Sequence, residues 1–408
     1  MSSHSIPLSL STRRLLIWLV GVSFVLFQFF LQLSSGVIIG AIMVEMKLSA
    51  LMAGFLSSSF YYVYTSLQIP VGILFDRANP RFLLTINALL CSLGCFLFAQ
   101  SEQLWALVLS RLLIGAGSSF AFVGLSHLLR EHFPIRQFAF MIGLSETLGF
   151  LMTMLGMISL GGLITHWGWR FFIHGAAIGG LLIACCCWQF IPPKRGQAIK
   201  LSQLKPLLII LKSPKAWFNG LFVGLSFTVI TVFGALWAIP FLQIKLGLSL
   251  KEASLVDAFV FLGAAVSCPL FGYLAGYFQR RTPLMLFSCL STALFLGITL
   301  FMPIHSSVSM AFLMFLIGVC CGAYMLSYSI ANELAPQDTL STCTGFTNTL
   351  AMLTAPLLQP LVGYFLDFLR GTRDAYTLAD YQWALILVPC GLLIAAGLAL
   401  LLPDKHGV

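Results

Sequence analysis

The stretch "GILFDRANPR", Gly72 to Arg81, places an aspartate between two arginines in a chain of which only 9% is charged. The runs on either side are too apolar to remain in water. Soluble domains carry roughly 25% charged residues, whereas this chain of 408 residues is 59% hydrophobic. About 20 apolar residues span a bilayer, and such runs recur along the whole length. The stretch is therefore a short polar turn between two membrane helices of a polytopic, all-α protein.

Pro, Gly and charge clusters divide the apolar runs into twelve helices. Their expected limits are 14–44, 49–75, 82–100, 103–130, 136–165, 169–191, 215–243, 250–278, 283–303, 307–334, 340–369 and 381–402. Most connections are short, so consecutive helices run antiparallel. The exception is "PPKRGQAIKLSQLKPLLIILKSP", residues 192–214, a basic linker between an N-terminal six-helix bundle (1–191) and a C-terminal one (215–408). Within it, "LKPLLIILK" has the pattern of a segment lying on the membrane surface.

A net charge of +9 is compatible with a nucleic-acid partner, but its distribution points to topology. With the N-terminus in the cytoplasm, fifteen of the 22 lysines and arginines fall on that side and six on the other, while Arg111 lies inside the fourth helix. Acidic residues split almost evenly. That is the positive-inside rule, and it predicts both termini and the linker in the cytoplasm, with the chain in the inner membrane. The first helix has no small-residue cleavage site after a short apolar core, so it is expected to be retained. The eleven cysteines lie within apolar runs, which argues for packing rather than a disulfide framework. Cys185, Cys186 and Cys187 point about 100° apart on a helix and cannot converge on a metal.

At the opening stretch, the positive-inside rule accounts for Arg77 and Arg81 but not for Asp76. A carboxylate there can accept from exposed N–H groups at a helix N-terminus. Asn79 is suited to a left-handed turn, and Pro80 stops the preceding helix. The pattern Gly72-x-Leu74-x-Asp76-Arg77-x-x-x-Arg81 resembles the signature of the major facilitator superfamily between its second and third helices, with Asn79 at the usual second glycine. The turn after the eighth helix, "GYLAGYFQRR" from Gly272 to Arg281, repeats it with Arg280 and Arg281 but with Gly276 at the aspartate position. Arg111 followed by Gly115 and Gly117 resembles the family's intramembrane arginine and small-residue face, and "HWGWRFF", His166 to Phe172, its outer entry to the sixth helix. The resemblance implies two pseudo-symmetric bundles working by alternating access, with Asp76 and its arginines as a cytoplasmic latch. The fifth helix lacks the Gly-Pro pair usual in the family's drug antiporters. "SETLG" (145–149) and "APLLQPLVGYFLD" (355–367) resemble transporters of intracellular gammaproteobacteria that take up amino acids or siderophores.

Charges within a bilayer are costly, at least about 2.5–3.5 kcal/mol at its centre. Arg111, about eight residues or roughly 12 Å from the outer end of its helix, is expected either to bind a substrate carboxylate or modulate a proton-carrying acid, or to pair with a carboxylate such as Glu45 or with backbone carbonyls. Glu146, near the middle of the fifth helix, is either a proton carrier or a neutral acid bonded between helices. Asp257 is expected to cap its helix or form a salt bridge near the outer mouth, with a part in coupling as the alternative. Gln28 and Gln32 share one helix face, as do Tyr324 and Tyr328. Tyr61, Tyr64, Trp237 near the Pro240 break, Asn348 and Gln359 complete the candidate site. "GAGSS" (115–119) lacks the lysine and strand context of a phosphate loop. The expected function is proton-coupled uptake of a small polar or anionic organic solute by a monomer, with no enzyme activity, cofactor, metal or nucleic acid. An exporter, or a transport-inactive scaffold or sensor, are the rival readings.

Overall fold

The computed structural model of the chain describes residues 10–33, 35–75, 78–193, 210–334 and 340–404. Helix α1 is in two pieces, Leu10–Leu33 and Ser35–Glu45. Next come α2 (Ala50–Phe75), α3 (Pro80–Gln100) and α4 (Leu104–His132). One helical run, Ile135–Phe190, breaks at Gly168 into α5 before it and α6 after it. Helix α7 has three parts, Pro214–Ser226, Val229–Trp237 and Ala238–Leu246. It is followed by α8 (Leu250–Phe278) and α9 (Thr282–Phe301). Helix α10 comprises Ser307–Cys320, Cys321–Met325 and Leu326–Leu334. The chain ends in α11 (Leu340–Arg370) and α12, which comprises Leu378–Leu385 and Leu387–Ala399.

Local chemistry sets these limits. Gly168 has φ 74° and ψ 157°, a conformation that a side chain would resist, so the chain reverses there. Asn79 does not take the left-handed conformation expected of it. Its backbone is extended, φ −70° and ψ 114°, and its side chain accepts from Arg81 N at 3.0 Å, which caps α3 with Pro80 in the first turn. A cap is the better use of this side chain because it satisfies an otherwise orphaned N–H. Ser249 and Glu252 form a capping box on α8. In α7 the expected break at Pro240 is displaced backwards. Pro240 offers no N–H to the Leu236 carbonyl, and the preceding residues Val229–Trp237 are wound as a π-helix.

Within the first six helices, α2 packs on α4, α3 on α4 and α6, and α1 on α5; the last six repeat this with α8 on α10, α9 on α10 and α12, and α7 on α11. We call the side reached by residues 10, 190 and 214 the linker face. The opposite end is the far face. Residues 194–209, which hold most of the linker and of "LKPLLIILK", lie outside the described residues.

The two sets of helices meet along three seams, and each seats a glycine against a partner helix. A Cβ on Gly36 of α1 would stand 2.8 Å from Ala235 O of α7, and one on Gly161 of α5 only 2.4 Å from Ser254 Cβ of α8. Between α2 and α11, Gly54 lies against Gln359 and Gly363 against Ala50. Small residues let helix backbones approach this closely.

Candidate functional site

Toward the linker face the seams part around a cavity that, with its open mouth included, spans about 880 Å³. Helix α1 contributes Gln28 and Gln32, one turn apart as their spacing required; Gln28 Nε2 donates to Gln32 Oε1, and Gln32 Nε2 reaches Met352 Sδ of α11 at 3.5 Å. Across the cavity, the tighter 3₁₀ turn Cys321–Met325 sets Tyr324 and Tyr328 on the wall. Tyr328 Oη donates to Asn348 Oδ1 at 2.8 Å, and Asn348 Nδ2 donates to Gln68 Oε1 at 2.9 Å. Gln68 Nε2 in turn donates to the Tyr64 carbonyl at 3.2 Å. This polar chain ties α10 and α11 to α2 across the two halves. Gln68 was missed in the sequence, although its place one turn after Tyr64 was a usable signal.

Glu146 of α5 also lines the cavity, 8% exposed. Among the described residues no hydrogen bond or ion pair reaches it. Phe122, Ser126 and Arg130 of α4 continue the wall toward the linker face. There a smaller cavity is lined by Gln68, Gly72, His127, Arg130 and Asn348. Arg130, the cation among the described lining residues, is a second residue that sequence reasoning passed over, because it was counted only as a topological charge.

Four expected site residues lie elsewhere. Arg111 is 5% exposed and does not line this cavity. Its guanidinium donates to Leu31 O of α1 at 3.0 Å and Ser57 O of α2 at 3.2 Å, over the Phe60 ring. The partners are thus backbone carbonyls, while Glu45 instead takes Arg170 and Trp169. Tyr61 is wholly buried, edge-on to Phe60. Gln359 cross-links helices: its Nε2 donates to Thr231 O of α7 at 2.7 Å, and its Oε1 accepts from Ser58 of α2 at 3.2 Å. Trp237 Nε1 donates to Gln359 O at 3.3 Å. Trp237 and Gln359 are thus taken up by the contacts among α2, α7 and α11, and Tyr61 is buried beside Gln32 without lining the cavity.

Asp76 and Arg77 lie outside the described residues. Arg81 donates to Ile191 O at 2.5 Å and stacks over Trp188, which fastens α3 to the end of α6. In the second copy of the motif, Gly272 is exposed within α8, with open space where a Cβ would stand. Arg281 is fully buried and bidentate on Glu333 of α10, with Ser329 beside it. Its acid therefore comes from another helix, whereas the sequence has Gly276 at the aspartate position. Arg280 is exposed, 4.0 Å from Asp404. Burial opposes ionisation of Asp404, but the Thr282 N–H and hydroxyl and the Arg280 charge outweigh it and hold this carboxyl below the ordinary aspartate value.

The far face is fastened by Asp367 of α11, which accepts from Leu51 N at 2.9 Å and Ala50 N at 3.3 Å. A carboxylate from one half thus satisfies the N-terminus of a helix in the other. Among the described residues Asp257 neither caps a helix nor forms a salt bridge. It is fully buried in α8, with both carboxylate oxygens unpartnered.

A sequence model of the family described as Major Facilitator Superfamily matches residues 18–358 and 238–407. The probable galactarate/D-glucarate transporter GarP of Escherichia coli (strain K12) is 22% identical over 390 residues, covering 86% of each chain. The membrane sensor protein UhpC of Salmonella typhimurium is 24% identical over 332 residues, 74% of each chain. A crystal structure of a bacterial homolog of the human lysosomal transporter Spinster matches with a TM-score of 0.74 at 16% identity, over 97% of both chains.

Proposed function

Because the chain belongs to the major facilitator superfamily, we propose that it carries a small polar or anionic organic solute by alternating access, driven by protons. It is a multi-pass membrane protein of a transporter fold and not an enzyme. The observation that carries the reading is the cavity between the two halves, walled by amides, tyrosines, Glu146 and Arg130. Amides and phenols fit the hydroxyl, amino and carboxyl groups of a small organic acid, and Arg130 supplies positive charge at the mouth. Similarity to GarP supports an organic anion as cargo.

Purified protein should be stabilised in a thermal-shift screen by a member of a panel of aldaric and uronic acids, amino acids and siderophores. A ligand at 100 times its Kd adds about 2.7 kcal/mol. The same compound should then enter proteoliposomes. No binder among the organic anions would remove the cargo assignment. Similarity to UhpC favours a second reading, a sensor, which would bind its solute without moving it.

In this reading the linker face is cytoplasmic and the chain lies in the inner membrane, an orientation supported by the fifteen-to-six charge split. A cysteine introduced at Gln197 should resist an impermeant thiol reagent in intact cells and react once the cells are opened. Labelling from outside would reverse the assignment.

A further inference from the structure

Helix α1 packs on α5 beside the cavity, with Phe29 edge-on to Phe150 at 5.4 Å between ring centroids. Gln28 of α1 and Glu146 of α5 both line the cavity on this wall. Gln28 is 2% exposed. Its Nε2 is committed to Gln32 Oε1, and Gln32 Nε2 to Met352 Sδ, so the row of amides ends at Gln28 Oε1. That oxygen is buried and has no partner. Turning one amide over would set oxygen against oxygen or nitrogen against nitrogen. Turning both would face Gln32 Oε1 to a thioether sulfur, which has no hydrogen to give.

Across the cavity the donors are engaged within the protein. The Tyr328 hydroxyl donates to Asn348, Asn348 to Gln68, and Gln68 to the Tyr64 carbonyl. Tyr324 Oη pairs with Cys268 Sγ at 3.4 Å. The wall of α1 and α5 therefore presents acceptors that the protein does not supply with donors: Gln28 Oε1 and, once its proton has left, the Glu146 carboxylate. A buried acceptor without a donor is costly, and in a cavity the missing donor can come from the cargo. A carboxylate brings none, and against Gln28 Oε1 it would set oxygen on oxygen. Its place is the other end of the cavity, where Arg130 carries positive charge at the mouth.

We propose that Gln28 is a specificity-determining residue whose Oε1 accepts a hydrogen bond from the cargo, and that the cargo is a carboxylate carrying hydroxyl or amino donors. The carboxylate lies toward Arg130 and the donor-bearing part toward α1 and α5. Unsubstituted carboxylates of the same chain length are rejected, because they leave Gln28 Oε1 buried and unbonded while losing their own hydration. The inference rests on the organic-anion reading of the cavity and narrows it. Gln28 selects the cargo, whereas Glu146 keeps its part in coupling.

The test measures dissociation constants by titration calorimetry on the full chain in lipid nanodiscs, with carboxylates matched in chain length. The pairs are glycerate with propionate, 4-aminobutyrate with butyrate, and glucarate with adipate. In the wild type the donor-bearing member of a pair should bind at least about tenfold tighter than its unsubstituted partner. Gln28→Met keeps the bulk of the side chain and removes the acceptor. It should bring that ratio to about one by weakening the donor-bearing member alone. Gln28→Glu, which keeps an acceptor in place, should retain the preference. A ratio within a pair cancels any general loss of stability, so a merely structural role for Gln28 would leave it unmoved. Equal binding of both members by the wild type, or a preference that persists in Gln28→Met, overturns the inference and leaves the organic-anion reading standing. Binding of no member of any pair removes that reading and this inference with it. Should Gln28→Met not fold, the wild-type and Gln28→Glu ratios decide.

Discussion

Glu146→Gln is expected to abolish accumulation of solute against its gradient in proteoliposomes while leaving downhill exchange. Glu146 is a nearly buried carboxyl on the cavity wall, and no described residue neutralises it. Such a group can take up a proton when the cavity is occupied and lose it to water when the cavity opens. Glutamine keeps its size and polarity but cannot exchange a proton. One proton carried down a one-unit pH gradient supplies about 1.4 kcal/mol, equivalent to a tenfold concentration ratio. The wild type should reach about that ratio with one proton per solute, and Glu146→Gln should stop at equal concentrations inside and out. Normal accumulation by the variant would make Glu146 a packing residue. Loss of exchange as well would make it a solute ligand rather than a coupling group.

Arg111→Ala is expected to reduce stability more than any change within the cavity, by about 3 kcal/mol. The guanidinium holds carbonyls of two helices from a third, at Leu31 and Ser57. Hydrogen bonds from a charged group contribute about 1.5–3 kcal/mol each, and their loss leaves two buried carbonyls without these donors. Arg111→Lys should recover only part of this, because a compact ammonium lacks the planar fork that spans two acceptors. The discriminating measurement compares the melting temperature of the variant with the affinity of its surviving folded fraction. A lower melting temperature with unchanged affinity fits the clasp. Unchanged stability with lost affinity would return Arg111 to the role of an anion ligand.

Hydropathy, charge asymmetry and the repeated glycine–arginine turns were enough to determine the all-α membrane fold, the twelve helices and the family. These properties are written along the chain, because a helix in lipid must satisfy its own backbone and leave its length visible as an apolar run. Gln28, Gln32, Tyr324 and Tyr328 were legible for a related reason: polar side chains one turn apart must share a helix face. What remained hidden depended on rotation and on partners distant in sequence. Tyr61 and Tyr64 are both polar and close along α2, yet only Tyr64 reaches the cavity. The Asn348 and Gln68 amides meet across 280 positions, and Arg281 finds its acid in Glu333 on a different helix. Asp257 was expected at a water-facing mouth, because its depth along α8 was readable and its angular position was not. The packing around α8 buries it completely, and only the tertiary structure could decide that its carboxylate would have no partner among the described residues.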